Sequence, residues 1–121
     1  MPEGAGVRVL RPLPAHRNDA GATARVTAAF RRHFGAQASD LDRQSASEDF
    51  SEIPDALGTP YTYWGLGGSN PEAYAAAESA GTVTRDIPAN HTPHFAPVTD
   101  PTLRTGTTAA VVAALAWLAT D

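Results

Sequence analysis

Two histidines, His91 and His94, are the residues whose type and setting best suit them to chemistry. They lie in the stretch 88–95, where Pro88 and Pro93 restrict the backbone and no helical or strand period is visible. The pattern predicts an ordered, extended loop that presents both imidazoles as fixed groups. Because neutral imidazole is a common zinc ligand, His91 is a candidate metal ligand and His94 a lesser one. The alternative for each is a loop histidine held by a hydrogen bond.

Two further segments contain candidate binding residues. In the run Ser47-Glu48-Asp49-Phe50, the serine is a potential helix cap, and backbone N–H groups at such a helix start can bind a substrate carboxylate. The plainer interpretation is a capped helix with favourable acids in its first turn. In Gly65-Leu66-Gly67-Gly68, the glycines would let a ligand approach the backbone. A tight turn is the simpler explanation, and the glycine spacing is not that of a dinucleotide-binding fingerprint.

The elements that position these residues follow from periodicity and from end signals. The sequence predicts four main helices, with approximate bounds 18–34, 47–57, 72–80 and 101–119. The aromatic run Tyr61–Gly68 predicts the clearest strand, and Val7–Leu10 a short one. The last helix is apolar all round in its second half, which predicts burial between layers. His16 and His33 are expected to be a solvated loop residue and a helix-face residue.

Helices that alternate with a strong strand predict the α/β fold class, with helices packed on a small sheet. Only one or two strands are clear, and a sheet of that width is marginal alone. At 121 residues, the chain is expected to be at most one domain or a piece of a larger one. As a layered unit it is expected to be incomplete.

Composition argues against several functional classes. The formal net charge of −4 argues against a nucleic-acid partner, which needs a concentrated basic surface. Without cysteine, the sequence has no disulfide framework, thiol nucleophile or cysteine-ligated zinc site. The N-terminus lacks the layout of a signal peptide, and the apolar run 109–119 is too short to span ~30 Å of hydrocarbon. The expected location is therefore cytoplasmic, with no membrane partner.

Several motifs occur in a distinctive order. Asn18-Asp19 precedes a helix that ends at Phe34-Gly35, and a helix that contains Gly106 closes the chain. Between them come, in order, Ser47-Glu48-Asp49-Phe50, the aromatic run that ends in Gly65-Leu66-Gly67-Gly68, and the histidine loop Asn90-His91-Thr92-Pro93-His94-Phe95. This order resembles the C-terminal part of the metal-dependent peptidase and amidohydrolase superfamily. That group includes hippurate hydrolases, N-acyl-amino-acid amidohydrolases and auxin-conjugate hydrolases. The resemblance covers nearly the whole sequence, and its most specific motifs are Ser-Glu-Asp-Phe and His-Thr-Pro.

The resemblance implies roles for individual residues. His91 would be a ligand of zinc or another divalent metal in the complete enzyme. Ser47 and Glu48 would line the active site on the side of the substrate carboxylate, and Gly67 would border the same pocket. The resemblance assigns no catalytic residue to this sequence, because the general-base glutamate and the other metal ligands belong to the family's N-terminal half.

The resemblance also implies a domain organisation. Residues 1–14 would hold the last strand of the family's inserted dimerisation (lid) domain and a linker. Residues 15–121 would be the C-terminal part of the metallohydrolase catalytic domain, a partial three-layer α/β unit.

Three functional hypotheses follow. In the first, the chain is the C-terminal segment of a zinc-dependent amidohydrolase or peptidase that hydrolyses N-acyl amino acids, and it is inactive in isolation because one histidine cannot hold a catalytic zinc. In the second, it is a non-catalytic truncated module that folds by homo-oligomerisation through an uncovered apolar face. In the third, it is a subunit complemented by a separately encoded N-terminal half.

Overall fold

A computed structural model of the protein describes residues 15–44 and 48–119. Its elements, in chain order, are α1 (Ala20–Phe34), a 3-10 turn (Gly35–Gln37), α2 (Glu52–Ala56), α3 (Pro71–Ala80), α4 (Val83–Asp86) and α5 (Thr99–Leu118). Helices make up 56% of these residues, which contain no strand. The predicted α/β class with a small sheet is therefore wrong for the described part of the chain. The strand expected at 7–10 and the lid-domain segment 1–14 lie outside it.

Two helices begin and end where local signals predict. The Asp19 Oδ1 atom accepts a hydrogen bond from the Ala22 N–H at 2.7 Å, which satisfies one of the free amides in the first turn of α1. Asn70 caps α3 in the same way, and Pro71 takes the first helical position. Gly81, with φ 68°, follows the end of α3 in the left-handed conformation that glycine adopts at little cost.

The second helix starts later than the sequence suggests. α2 begins at Glu52, with Ser51 as its N-cap, rather than at Ser47, which lies outside the described residues. Pro54 explains the shift, because a residue without an N–H is tolerated in the first turn of a helix but not in its interior. A helix that started at 47 would place this proline beyond its first turn.

The main packing contact joins α1 to α5. α1 buries Ala22, Val26 and Ala29, which are spaced at i, i+4 and i+7 and so form one stripe. α5 buries Ala109 and Ala113. Because almost all of these side chains are alanines, the contact between the two helices is close but small.

The expected burial of α5 between two layers is wrong. Ala109 and Ala113 are buried, whereas Val111, Leu115 and Leu118 are 52%, 56% and 76% exposed. Among the described residues, α1 is the helix that packs on α5, and no sheet covers the opposite side. No helix in the described ranges combines the length and the apolar character needed to cross a bilayer.

The aromatic stretch Tyr61–Gly68 has no regular secondary structure, so the strand predicted here is wrong. A strand needs a partner strand to bond its backbone groups. Here the Asn18 side chain takes that place: its Oδ1 accepts from the Tyr63 N–H at 2.8 Å, and its Nδ2 donates to the Tyr63 carbonyl at 3.0 Å. The Asp19 N–H donates to the Tyr61 carbonyl at 2.8 Å. The start of α1 therefore satisfies this backbone without a ladder.

Candidate functional site

The loop that contains His91 is built around a β-turn, so the extended backbone predicted for this segment is wrong. Both the N–H and the hydroxyl of Thr92 donate to the Ala89 carbonyl, at 3.3 and 2.8 Å. The Phe95 N–H then donates to the Thr92 carbonyl at 3.1 Å. His91 is the third residue of the turn and has φ 66°, in the left-handed region that few residues other than glycine adopt. These bonds give the loop a defined shape with His91 at an exposed position.

The His91 side chain is exposed and has no partner among the described residues. It makes no hydrogen bond or ring contact with any of them. The same holds for His94. Among the described residues, therefore, no hydrogen bond holds either imidazole.

We expect His91→Gly to raise the free energy of unfolding by up to about 1 kcal/mol, because glycine adopts a positive φ without steric cost. His91→Ala keeps that cost and is the matched control, with an expected change within about 0.5 kcal/mol for an exposed side chain. Urea denaturation followed by far-UV circular dichroism measures both. Equal stabilities of the two variants would contradict a conformational cost at His91.

The glycine run lies beside the segment that follows the histidine loop. The Gly68 carbonyl accepts a hydrogen bond from the Val98 N–H at 2.9 Å, and a Cβ on Gly68 would lie 3.3 Å from the Pro97 Cβ. A side chain at Gly67, in contrast, would meet no heavy atom within 4 Å. Packing among the described residues therefore does not require a glycine at 67, and its backbone is open to a ligand.

Glu48 lies two residues before Phe50, which contacts the start of the aromatic stretch Tyr61–Gly68. Phe50 packs on Tyr61 and Tyr63, with ring centroids 5.7 and 5.1 Å apart. The Glu48 Oε1 atom accepts a hydrogen bond from the Asp49 N–H at 2.9 Å, so this amide is not free to bind a substrate carboxylate. Ser47, the other residue predicted to contact substrate, lies outside the described residues.

The described residues do not assemble a metal centre around His91. No group of three or more His, Asp, Glu or Cys side chains among them is placed to hold a metal ion. Several acids are engaged elsewhere: Asp40 pairs with Arg31, and Asp100 with Arg104. Bonds from Arg85 and from Thr82 lower the pKa of Asp86. The histidine loop supplies two candidate ligands at most, His91 and His94, which is fewer than the three or more protein ligands of a zinc site.

An aromatic cluster around His16 has no counterpart among the sequence predictions. The His16 ring stacks on Phe50 at 6.1 Å and meets Tyr61 and Tyr63 edge-on at 6.3 and 5.6 Å. Both of its ring nitrogens are buried and have no hydrogen-bond partner among residues 15–44 and 48–119. The expectation of a solvated loop histidine is therefore wrong. The abundance of aromatic residues in 61–64 was the one signal that could have indicated such a cluster.

The stretch Tyr61–Gly68 connects the candidate residues. It contacts Phe50 near its start and Val98 at its end, so it links the Glu48 segment to the histidine loop. Chemically, the described residues offer two exposed imidazoles without a partner among them, at His91 and His94, and an exposed backbone at Gly67. The chain matches no protein-family model.

Proposed function

We propose that this chain is the C-terminal segment of a metal-dependent amidohydrolase or peptidase that cleaves the amide bond of N-acyl amino acids, with zinc or another divalent cation as cofactor. The observation that carries the proposal is the state of His91. Its imidazole is exposed, has no partner in the described residues and projects from a defined turn. A neutral imidazole in that state has a lone pair available to a metal.

The sequence around His91 supports the same assignment. The run Asn90-His91-Thr92-Pro93 resembles the loop in which the superfamily holds its last metal ligand. In this chain the Thr92 hydroxyl closes the turn by donating to the Ala89 carbonyl, which explains the use of a hydroxyl residue after the histidine. We assign metal binding to His91, and to no other histidine of the chain.

The glycine run supports a role in substrate contact. Because Gly68 is bonded to Val98, the open backbone of Gly67 stays attached to the segment that follows the histidine loop. We propose that this backbone borders the substrate, and that Ser47 and Glu48 lie on the carboxylate side. The remaining metal ligands and the general base would come from residues outside the described ranges.

The test is hydrolysis of a panel of N-acyl amino acids in the presence of zinc. The chain alone is expected to give no turnover, since one imidazole cannot fix the metal. Combined with the N-terminal half of an amidohydrolase of the resembling family, it is expected to give zinc-dependent turnover. His91→Ala should lower that turnover by more than about 100-fold. Replacing even a residue that only hydrogen-bonds a metal ligand lowers metal affinity or activity by about 10–100-fold.

His94→Ala is the matched control, since it removes an equally exposed imidazole from the same loop. It is expected to leave turnover near that of the parent. Turnover by the chain alone, or turnover that survives His91→Ala, would refute the proposal. The N-terminal half is supplied both fused to the chain and as a separate polypeptide. Turnover with the fused form alone would indicate a covalent segment, and turnover with the separate form would indicate a complementing subunit.

A further inference from the structure

A groove between α1 and α5 combines an aliphatic floor with two basic side chains. Its volume is about 370 Å³, within the range of roughly 300–1,000 Å³ that is usual for small-molecule sites. The residues that line it are Ala29, Arg32, His33, Val112, Leu115, Ala116 and Ala119. Small-molecule sites are mostly apolar and contain a few polar groups that fix the orientation of the ligand. The groove therefore has the composition of a site for a small molecule with one apolar and one charged end.

Arg32 is the arginine of α1 that has no partner in the described part of the chain. Arg31 pairs with Asp40 at 3.0 Å, and the Arg25 guanidinium lies 4.7 Å from the centre of the Trp117 ring. Arg32 makes no ion pair, hydrogen bond or ring contact with a described residue. The dipole of α1 explains why a basic residue is favourable in its last turn, but not why Arg32 borders an apolar groove. No described residue therefore competes with a ligand for the N–H donors of this guanidinium.

The charges along the groove indicate the sign of the ligand. No acid in the described ranges lines the groove. α1 itself contains three arginines and no aspartate or glutamate, although the chain as a whole carries a net charge of −4. A planar guanidinium binds a carboxylate through two parallel hydrogen bonds, and His33 adds a ring N–H beside Arg32. The charged end of the ligand is therefore expected to be a carboxylate.

The floor of the groove indicates the apolar end of the ligand. Its apolar side chains are all aliphatic, and no Phe, Tyr or Trp is among the described residues that line it. A second cleft, of about 390 Å³, differs in this respect, because Tyr61, Trp64 and Trp117 line it. Aliphatic walls gain dispersion contacts with a flexible chain but offer an aromatic ring no partner for stacking. The groove therefore suits an alkyl chain better than a ring.

We propose that this groove binds a linear aliphatic monocarboxylate. The Arg32 guanidinium holds the carboxylate, and the ring N–H of His33 adds a hydrogen bond. The alkyl chain lies on Val112, Leu115 and Ala116. The site does not include His91, so it is independent of the proposed hydrolytic function.

Titration of the chain with octanoate, followed by two-dimensional NMR of the backbone amides, is the first test. The largest shifts are expected in residues 29–33 and 112–119, which contain the lining of the groove. The affinity is expected in the millimolar range, because octanoate has few heavy atoms. Octanol and octylamine have the same chain length without the carboxylate. Both are expected to bind at least about tenfold more weakly, since losing a hydrogen bond between charged groups costs about that factor or more.

Substitutions at each end of the site are the second test. Arg32→Gln is expected to weaken octanoate binding at least about tenfold. Arg31→Gln is the matched control, because it removes the same charge from the preceding residue, which does not line the groove. Ala116→Leu fills the groove and is expected to weaken binding as well, whereas Ala110→Leu, on the same helix outside the groove, is expected to leave it unchanged. Circular dichroism of each variant confirms that it is folded.

Absence of octanoate-dependent shifts in the parent chain would overturn the proposal, and so would equal affinities for octanoate and octanol. Equal effects of Arg32→Gln and Arg31→Gln would also overturn it, because the anion would then respond to the net charge of the helix rather than to the groove. Full binding by a folded Ala116→Leu variant would place the alkyl chain elsewhere and refute the site.

Discussion

Replacing His16 by phenylalanine is expected to raise the free energy of unfolding by about 1–3 kcal/mol, the cost of leaving a buried polar group without a partner. A neutral imidazole carries one N–H donor and one acceptor nitrogen, and in His16 both nitrogens are buried without a hydrogen-bond partner in the described part of the chain. The surrounding rings of Phe50, Tyr61 and Tyr63 pack favourably against an aromatic ring but make no hydrogen bond to these nitrogens. A hydrocarbon ring keeps the packing and removes the unsatisfied atoms.

Urea denaturation of the parent and of His16→Phe measures this gain. His33→Phe is the matched control: it makes the same exchange at an exposed histidine, where no nitrogen is buried, and should change stability by no more than about 0.5 kcal/mol. His16→Leu is a second variant that also removes the two nitrogens, and it tests the same effect if the larger phenylalanine ring does not fit. Loss of stability in both His16 variants would show that the imidazole nitrogens have a partner, such as an ordered water, that the described contacts lack.

Truncating Val26 to alanine is expected to lower the free energy of unfolding by about 2 kcal/mol, from lost hydrophobic transfer and the cavity left behind. Val26 is 4% exposed and is the largest buried apolar side chain in the described ranges, where the others are alanines. It lies in the middle of the stripe on α1 that packs against α5. Ala22 and Ala29 flank it on the same face of α1, and Tyr61, Trp64 and Trp117 line a cleft beside it.

Thermal unfolding is a sensitive measure of the Val26 effect, since a loss of 1 kcal/mol lowers the Tm of a domain of this size by about 4 °C. Ile53→Ala is the control. It removes more hydrocarbon than Val26→Ala, but from a side chain that is 72% exposed, so its expected cost is within about 0.5 kcal/mol. Similar shifts for the two variants would mean that the α1–α5 contact is not what stabilises the chain.

The candidate site was predictable in part. His91 was identified from its residue type and from the proline beside it, and the structure adds a turn with an unusual φ and a free imidazole. The metal role of His91 stays a prediction, because the ligands that would complete it are absent from the described residues. The environment of His16 was predicted wrongly, because the burial of its ring nitrogens depends on Phe50 and Tyr63, which are far from it in the sequence.

The sequence by itself determined the features whose causes lie within a few residues. α1 and α3 begin at Asp19 and Asn70 because each side chain bonds an amide three residues later, and α3 ends where Gly81 adopts a positive φ. The turn at His91 is equally local, since it is closed by Thr92.

Only the tertiary structure decided the rest, because it depends on which distant groups meet. The residues Tyr61–Gly68 have the composition of a strand, but the partner they meet is the Asn18 side chain, so no ladder forms. The apolar second half of α5 has the composition of a buried helix, but α1 covers one side of it. Composition sets how much apolar surface needs a partner, whereas the spatial arrangement of the elements sets which part receives one.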